Sequence, residues 1–166
     1  NDGIWDQVQS VSGGIISVSR SYPNDNPTGT PSDSYTVRVK VADDDTGSTT
    51  QTATVVVNNV NPSLSVNFFP SFINEGGTAT LTGSYSDQGV SDTHSLSIDW
   101  DNDGIWDEAQ SVSGGTFSFT RVYPDDNPTG TPSDMYTAWV RLTDDDTGSA
   151  MQSTTLTVNN VNPSLT

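Results

Sequence analysis

The strongest constraint on this chain is that it repeats itself. The run Asn1-Asp2-Gly3-Ile4-Trp5-Asp6 returns as Asn102-Asp103-Gly104-Ile105-Trp106-Asp107, a register of 101 residues. Later matches keep that register without insertion: Ser10 to Gly14 with Ser111 to Gly115, Asn26 to Asp33 with Asn127 to Asp134, Asp43 to Ser48 with Asp144 to Ser149, and Val57 to Leu64 with Val158 to Leu165. A period near one hundred residues is the size of a whole two-sheet domain, so each unit is expected to have its own core and not to share a solenoid. Three segments follow. Residues 1–59 are expected to be the C-terminal two-thirds of one unit, with its first strands supplied by a preceding repeat or another chain, residues 60–160 a complete unit, and residues 161–166 the start of the next.

Within each unit the apolar residues alternate with a period of two, the signature of half-buried strands. The sets are Leu64 and Val66; Ala79 and Leu81; Leu96, Ile98 and Trp100; Phe117, Phe119 and Tyr123; Tyr136, Ala138, Val140 and Leu142; and Leu156 and Val158. The first unit repeats the later sets as Ile16, Val18 and Tyr22, then Tyr35, Val37, Val39 and Val41, then Val55 and Val57. Helical periodicity is absent. Six or seven such strands make two packed antiparallel sheets, so the fold class is all-β, an immunoglobulin-like antiparallel β-sandwich with repeats end to end.

Only 31% of the residues are hydrophobic and 16% are charged, which leaves the Ser, Thr, Asn, Gly and Pro that short strands and polar turns use. A net charge of -16 with low hydrophobicity is also a mark of disorder, but the regular alternation argues against it. With 21 acidic residues against 5 basic ones, nucleic acid and anionic lipid are disfavoured as partners, and multivalent cations are the natural counter-charge. No stretch is long and apolar enough to insert in a membrane. Cysteine is absent, which removes disulfides, cysteine nucleophiles and thiolate metal sites together.

A family resemblance sits on the run Tyr136-x-Ala138-x-Val140-x-Leu142-Thr143-Asp144-Asp145-Asp146-Thr147-Gly148, with Arg121-x-Tyr123 before it and Ile98-Asp99-Trp100-Asp101 upstream. This pattern resembles a PKD domain of bacterial surface or secreted proteins and covers both units. It departs from the usual Gly-Asp-Gly after the tryptophan strand, where this chain has Asp101-Asn102-Asp103-Gly104, and it carries Arg121 where His is common. The resemblance implies an immunoglobulin-like fold and a spacer, adhesive or interaction role without enzymatic activity.

The sharpest chemical motif runs from Asp99 to Glu108. Asp99, Asp101 and Asp103 at alternating positions, a turn at Gly104, the carbonyl of Ile105 and the carboxylate of Asp107 can fold around a hard cation, and the spacing fits calcium. The plain alternative is an acidic, solvated turn. Secondary metal candidates are Asp2 and Asp6 in the first copy of that motif, and Asp144, Asp145 and Asp146 in a strand-to-strand turn where Gly148 is available for a left-handed conformation. Strand order places the loops of Asp6 and Asp25 opposite those of Asp87, Asp92 and Asp144 to Asp146 across a stiff linker, Asn58 to Pro62, so calcium in that junction would turn the units into a rod.

Trp100 is in phase with the core, Trp106 and Trp5 are expected to cap the sandwich end, and Trp139 faces outward, too few exposed rings for a sugar platform. Arg20 and Arg121 occupy equivalent inward-phased positions and each needs a carboxylate partner. His94, the only histidine, lies in a polar stretch with no counterpart, so no catalytic residue is assigned. The expected function is a structural or adhesive repeat module of a long extracellular or cell-surface protein, calcium-stabilised and acting as a stalk or fibre. The alternatives are a filament subunit completed by strand exchange between chains and a carbohydrate-binding accessory module. Expected partners are neighbouring repeats or chains of the same kind, with surface glycans or proteins as further ones.

Overall fold

The computed structural model describes residues 4–25, 28–126 and 129–165. Ten strands are present among them and no helix. A hairpin, β1 (Ser32–Ala42) with β2 (Ser48–Asn58), precedes eight strands that form a sandwich: β3 (Ser63–Phe69), β4 (Phe72–Asn74), β5 (Gly77–Ser86), β6 (His94–Asp99), β7 (Glu108–Val112), β8 (Thr116–Tyr123), β9 (Ser133–Asp144) and β10 (Ser149–Asn159). One sheet has the order β4-β10-β9-β6-β7 and the other β3-β5-β8. All neighbours are antiparallel except β4, which lies parallel to β10. This is the immunoglobulin-like sandwich that the alternation implies.

The apolar sets face each other across the two sheets. Leu96 and Ile98 from β6, Ala138, Val140 and Leu142 from β9, and Leu156 and Val158 from β10 meet Phe68, Ala79, Leu81, Phe117 and Tyr123 from the smaller sheet. Each fully buried aliphatic or aromatic side chain contributes about 1.5–3 kcal/mol. Trp100, just beyond β6, closes one end of the core and tilts against Phe68 at 6.1 Å between ring centroids. Gly83 sits where a Cβ would strike the Phe117 ring and the Ser65 carbonyl, so the residue in mid-strand is one that lets β3 and β8 approach β5.

The strands β4 and β7 lie outside the alternating sets. Phe72–Asn74 is too short to display alternation, yet it buries Ile73, and Glu108–Val112 is a polar edge strand with almost no buried face. Ile16, Val18 and Tyr22, expected to lie on a strand, belong to no strand. Their counterparts in β8 pair with β5, and no counterpart of β5 is among these 166 residues; a strand without a partner has no ladder to join.

The duplicated hairpins keep one register. Ser32 opposes Asn58 and Ala42 opposes Ser48, as Ser133 opposes Asn159 and Thr143 opposes Ser149. Their surroundings differ. Leu142 is 0% exposed, whereas its counterpart Val41 is 38% exposed. Leu142→Ala is therefore expected to cost about 2–5 kcal/mol in urea denaturation of the sandwich, and Val41→Ala within about 0.5 kcal/mol of zero.

Candidate functional site

Acidic loops occupy both poles of the sandwich, and the structure meets their charge in different ways. At the pole where β6 ends, Asp99 is buried and acts as a cap for its own turn. Its Oδ1 accepts from the amide of Asn102 at 2.7 Å and its Oδ2 from the amide of Gly104 at 3.1 Å. Asn102 and Gly104 take positive φ of 61° and 87°, which fits the Asn and Gly found there. Asp103 accepts from the Ile105 amide at 2.8 Å, and Ile105 lies on the exposed side of the loop. Asp107 accepts from the Trp100 amide at 2.8 Å and from Arg121 Nη1 at 3.1 Å, while Arg121 Nη2 reaches Asp101 at 3.5 Å.

Of the five expected ligands in this motif, the fold brings Asp99, Asp101 and Asp107 together, with one oxygen of each within 4.8 Å of the others. Asp103 is engaged in its own turn. Arg121 supplies a fixed positive charge to this group, as the in-phase Arg required. The same pairing recurs in the first unit, where Arg20 Nη1 lies 2.7 Å from Asp6. Asp6 is thus an exposed ion-pair partner of Arg20, and Asp2 lies outside the described residues.

At the opposite pole the β9–β10 turn, the β5–β6 loop and the first unit meet. Asp144 Oδ1 accepts from the amides of Asp146 at 3.0 Å and Gly148 at 2.6 Å, and its Oδ2 accepts from Asn59 Nδ2 at 2.9 Å. The left-handed residue of this turn is Thr147 with φ 73°, not Gly148 as expected. Gly148 is needed for closeness instead. A Cβ there would meet the Asp144 carboxylate and lie 2.6 Å from Asn59 Nδ2. Asp87 accepts from the Gly89 amide at 3.1 Å and faces His94 Nε2 at 3.0 Å. His94, the first residue of β6, is a half-buried partner of Asp87 beside an open cleft of about 890 Å³ that Tyr85, Asp92 and Asp145 also line.

Two oxygen sets converge here within 4.8 Å: Asp87, Asp92 and Asp144, and Asp92, Asp145 and Asp146. Burial is the main influence on Asp92 and Asp146, followed by neighbouring carboxylates. It raises Asp92, with Asp87 and Asp145 adding to it. It pushes Asp146 up to about 6, with Asp25 of the first unit as the next cause and Asp145 after it. Asp25 itself is 2% exposed and Asp146 is 1% exposed. Of the Asp6 and Asp25 loops expected opposite those of Asp87, Asp92 and Asp144–146, Asp25 lies beside Asp146 whereas Asp6 pairs with Arg20, and no spacing rule marks Asp25 and Asp92 as candidate ligands.

The described residues of the long loop before the hairpin make the same contacts in both units. Thr28 donates its amide to Asp33 at 3.1 Å, as Thr129 does to Asp134 at 3.1 Å. Tyr35 and Tyr136 donate to the carbonyls of Asn24 and Asp125. Tyr22 packs on Tyr35 at 4.9 Å, as Tyr123 packs on Tyr136 at 4.8 Å. Asp126, the counterpart of Asp25, is likewise buried, and burial raises its carboxyl beside Glu75 and Asp125. Of the aromatic candidates, Trp100 is buried, Trp106 lies under the Arg141 guanidinium at 4.7 Å, Trp5 is exposed and Trp139 is half-buried.

No family model matches this chain, and no curated protein matches it. Among solved structures it is similar to the PKD domain of an M14-like peptidase from a Thermoplasmatales archaeon, at 20% identity over 60% of this chain and 92% of that chain, with a TM-score of 0.39.

The raised Asp146 carboxyl sets a direction for pH. A carboxyl raised on folding binds its proton before the unfolded chain does, so stability rises as pH falls from about 7 through 6 and the gain is complete near 4. In chelator, the melting temperature is expected to increase between pH 7 and pH 5, and to increase less in Asp146→Asn. Arg121→Gln is expected to cost about 1 kcal/mol through the lost ion pairs and the Trp100 ring contact, measured by the same urea denaturation.

Proposed function

We propose that this chain is a structural or adhesive module of a long extracellular or cell-surface protein, in which sandwich units follow one another as a calcium-stabilised stalk or fibre. The observation that carries the reading is the way the linker is held. Asn59 donates its amide to the Pro31 carbonyl of the first unit at 3.0 Å and its side chain to Asp144 of the second at 2.9 Å. Three residues later Pro62 is buried, and β3 begins at Ser63. A connection anchored at both ends and restricted by proline transmits force and orientation, which suits a spacer and not a flexible tether. Asn160 repeats the first of these contacts with Pro132 at 3.0 Å, so the exit from the second unit has the same local form.

A second reading has its own observation. The β1–β2 hairpin exposes Val39, Val41 and Val55 on one face, an apolar face that a strand from another chain could cover, as strand exchange in a filament requires.

Small-angle scattering of the chain, in calcium and in chelator, tests the stalk. Calcium is expected to give an elongated particle with a narrow distance distribution, and chelator a broader one. At a hundredfold excess over Kd, calcium should add about 2.7 kcal/mol, which is about 10 °C in melting temperature for a unit of this size. Identical profiles and melts in the two conditions would remove calcium from the reading. Sedimentation over a range of concentrations separates the second reading, which requires association.

A further inference from the structure

Most carboxylates gathered between the two units are already matched. Asp144 is consumed by its own turn and by Asn59, Asp87 by Gly89 and His94, and Oδ1 of Asp145 by the Thr93 amide at 2.9 Å. Four buried oxygens at the same place have no hydrogen-bond partner: both of Asp92, Oδ2 of Asp146 and Oδ2 of Asp25. A carboxylate removed from water needs a donor, a proton or a cation. The charged groups that act most strongly on Asp92 and Asp146 are all carboxylates.

The kind of ligand follows from the donor set. It is all oxygen and all anionic, with neither imidazole nor sulfur, which selects a hard cation. The oxygens of Asp92, Asp145 and Asp146 lie within 4.8 Å of one another. Calcium takes six to eight oxygens at about 2.3–2.6 Å in flexible geometry, so carboxylates from separate loops suit it better than magnesium, which at about 2.0–2.1 Å demands a near-ideal octahedron and keeps several waters. The first unit comes close enough to take part. Asp25 is the neighbouring charge that acts most strongly on Asp146, and a Cβ on Gly29 would lie 3.0 Å from the Asp145 carbonyl oxygen, so its loop is pressed against the β9–β10 turn.

We propose that Asp25 of the first unit joins Asp92, Asp145 and Asp146 of the second in one site for a calcium-sized divalent cation, which is thereby shared across the boundary between units. The site is separate from the Asp99 loop, where Arg121 is already the counter-charge, and from Asp87 and Asp144, which are matched within the fold. It rests on the structural-module reading and locates the stiffening of that reading in one ion.

The test is calorimetric titration of calcium chloride into the 166-residue chain, with magnesium chloride in parallel, for the unaltered protein and for Asp25→Asn, Asp146→Asn, Gly29→Val and Asp44→Asn. Calcium is expected to bind more tightly than magnesium. Asp25→Asn and Asp146→Asn should each lower calcium affinity at least tenfold, Gly29→Val should lower it with every ligand intact, and Asp44→Asn, which removes the same charge from an exposed turn, should not. Asp25 and Gly29 lie outside the sandwich strands, so an unchanged melting transition in chelator shows that those variants are folded. Absence of calcium binding overturns the proposal. So does loss of binding in Asp146→Asn while Asp25→Asn and Gly29→Val bind normally, because the ion would then belong to the second unit alone. Scattering from the same samples keeps the two readings apart. A tenfold loss in Asp25→Asn with identical profiles in calcium and chelator supports the shared site and removes the stiffening, whereas a calcium-dependent profile unaffected by Asp25→Asn removes the shared site.

Discussion

Ala138, Val140 and Leu142 alternate along β9, between β10 and β6, and their burial against Leu81, Phe68 and Phe117 of the opposite sheet holds the rest of the molecule in place. The sandwich has no disulfide and, among the described residues, no helix to brace it. Its stability therefore comes from apolar area removed from water and from the ladders that such removal makes worthwhile. Because the core is narrow and made of alternate residues, the remaining residues are free to be polar. The chain uses that freedom to concentrate carboxylates at the two poles.

Those carboxylates are held by three different means. Backbone amides serve Asp99 and Asp144, for which a tight turn delivers two N–H groups to one side chain, while Asp134 takes one amide and one hydroxyl from Thr129. Basic side chains serve Asp6, Asp101, Asp107 and Asp87. The third group, Asp25, Asp92 and Asp146, has neither at its unmatched oxygens, and burial leaves those oxygens without water as well. Charge of one sign is costly to assemble only when nothing of the other sign can enter, so a pole built this way favours a partner that carries positive charge.

The two copies of the repeat show how far sequence identity fixes structure. The Thr28–Asp33 and Thr129–Asp134 loops, the tyrosine pairs and the hairpin registers coincide because each depends on residues close together in the chain. The run Ile16 to Tyr22 and its counterpart in β8 differ because the strand state depends on a distant partner. Val41 and Leu142 differ in exposure for the same reason.

Period-two alternation over β5, β6, β8, β9 and β10 determined the fold class, the two-layer core and the role of Trp100, since side-chain direction in a strand is set by neighbours one bond away. It also placed Arg121 and Arg20 among carboxylates. The Asp99–Asp101–Asp107 cluster was legible because its members are near in sequence, although the arginine that balances it was not assigned to it. Only the tertiary structure decided which oxygens between the units are left without a donor. Asp25, Asp92 and Asp146 come from three loops far apart in the chain, and whether a carboxylate is solvated, matched or stranded depends on what the fold packs around it, a property no local pattern encodes.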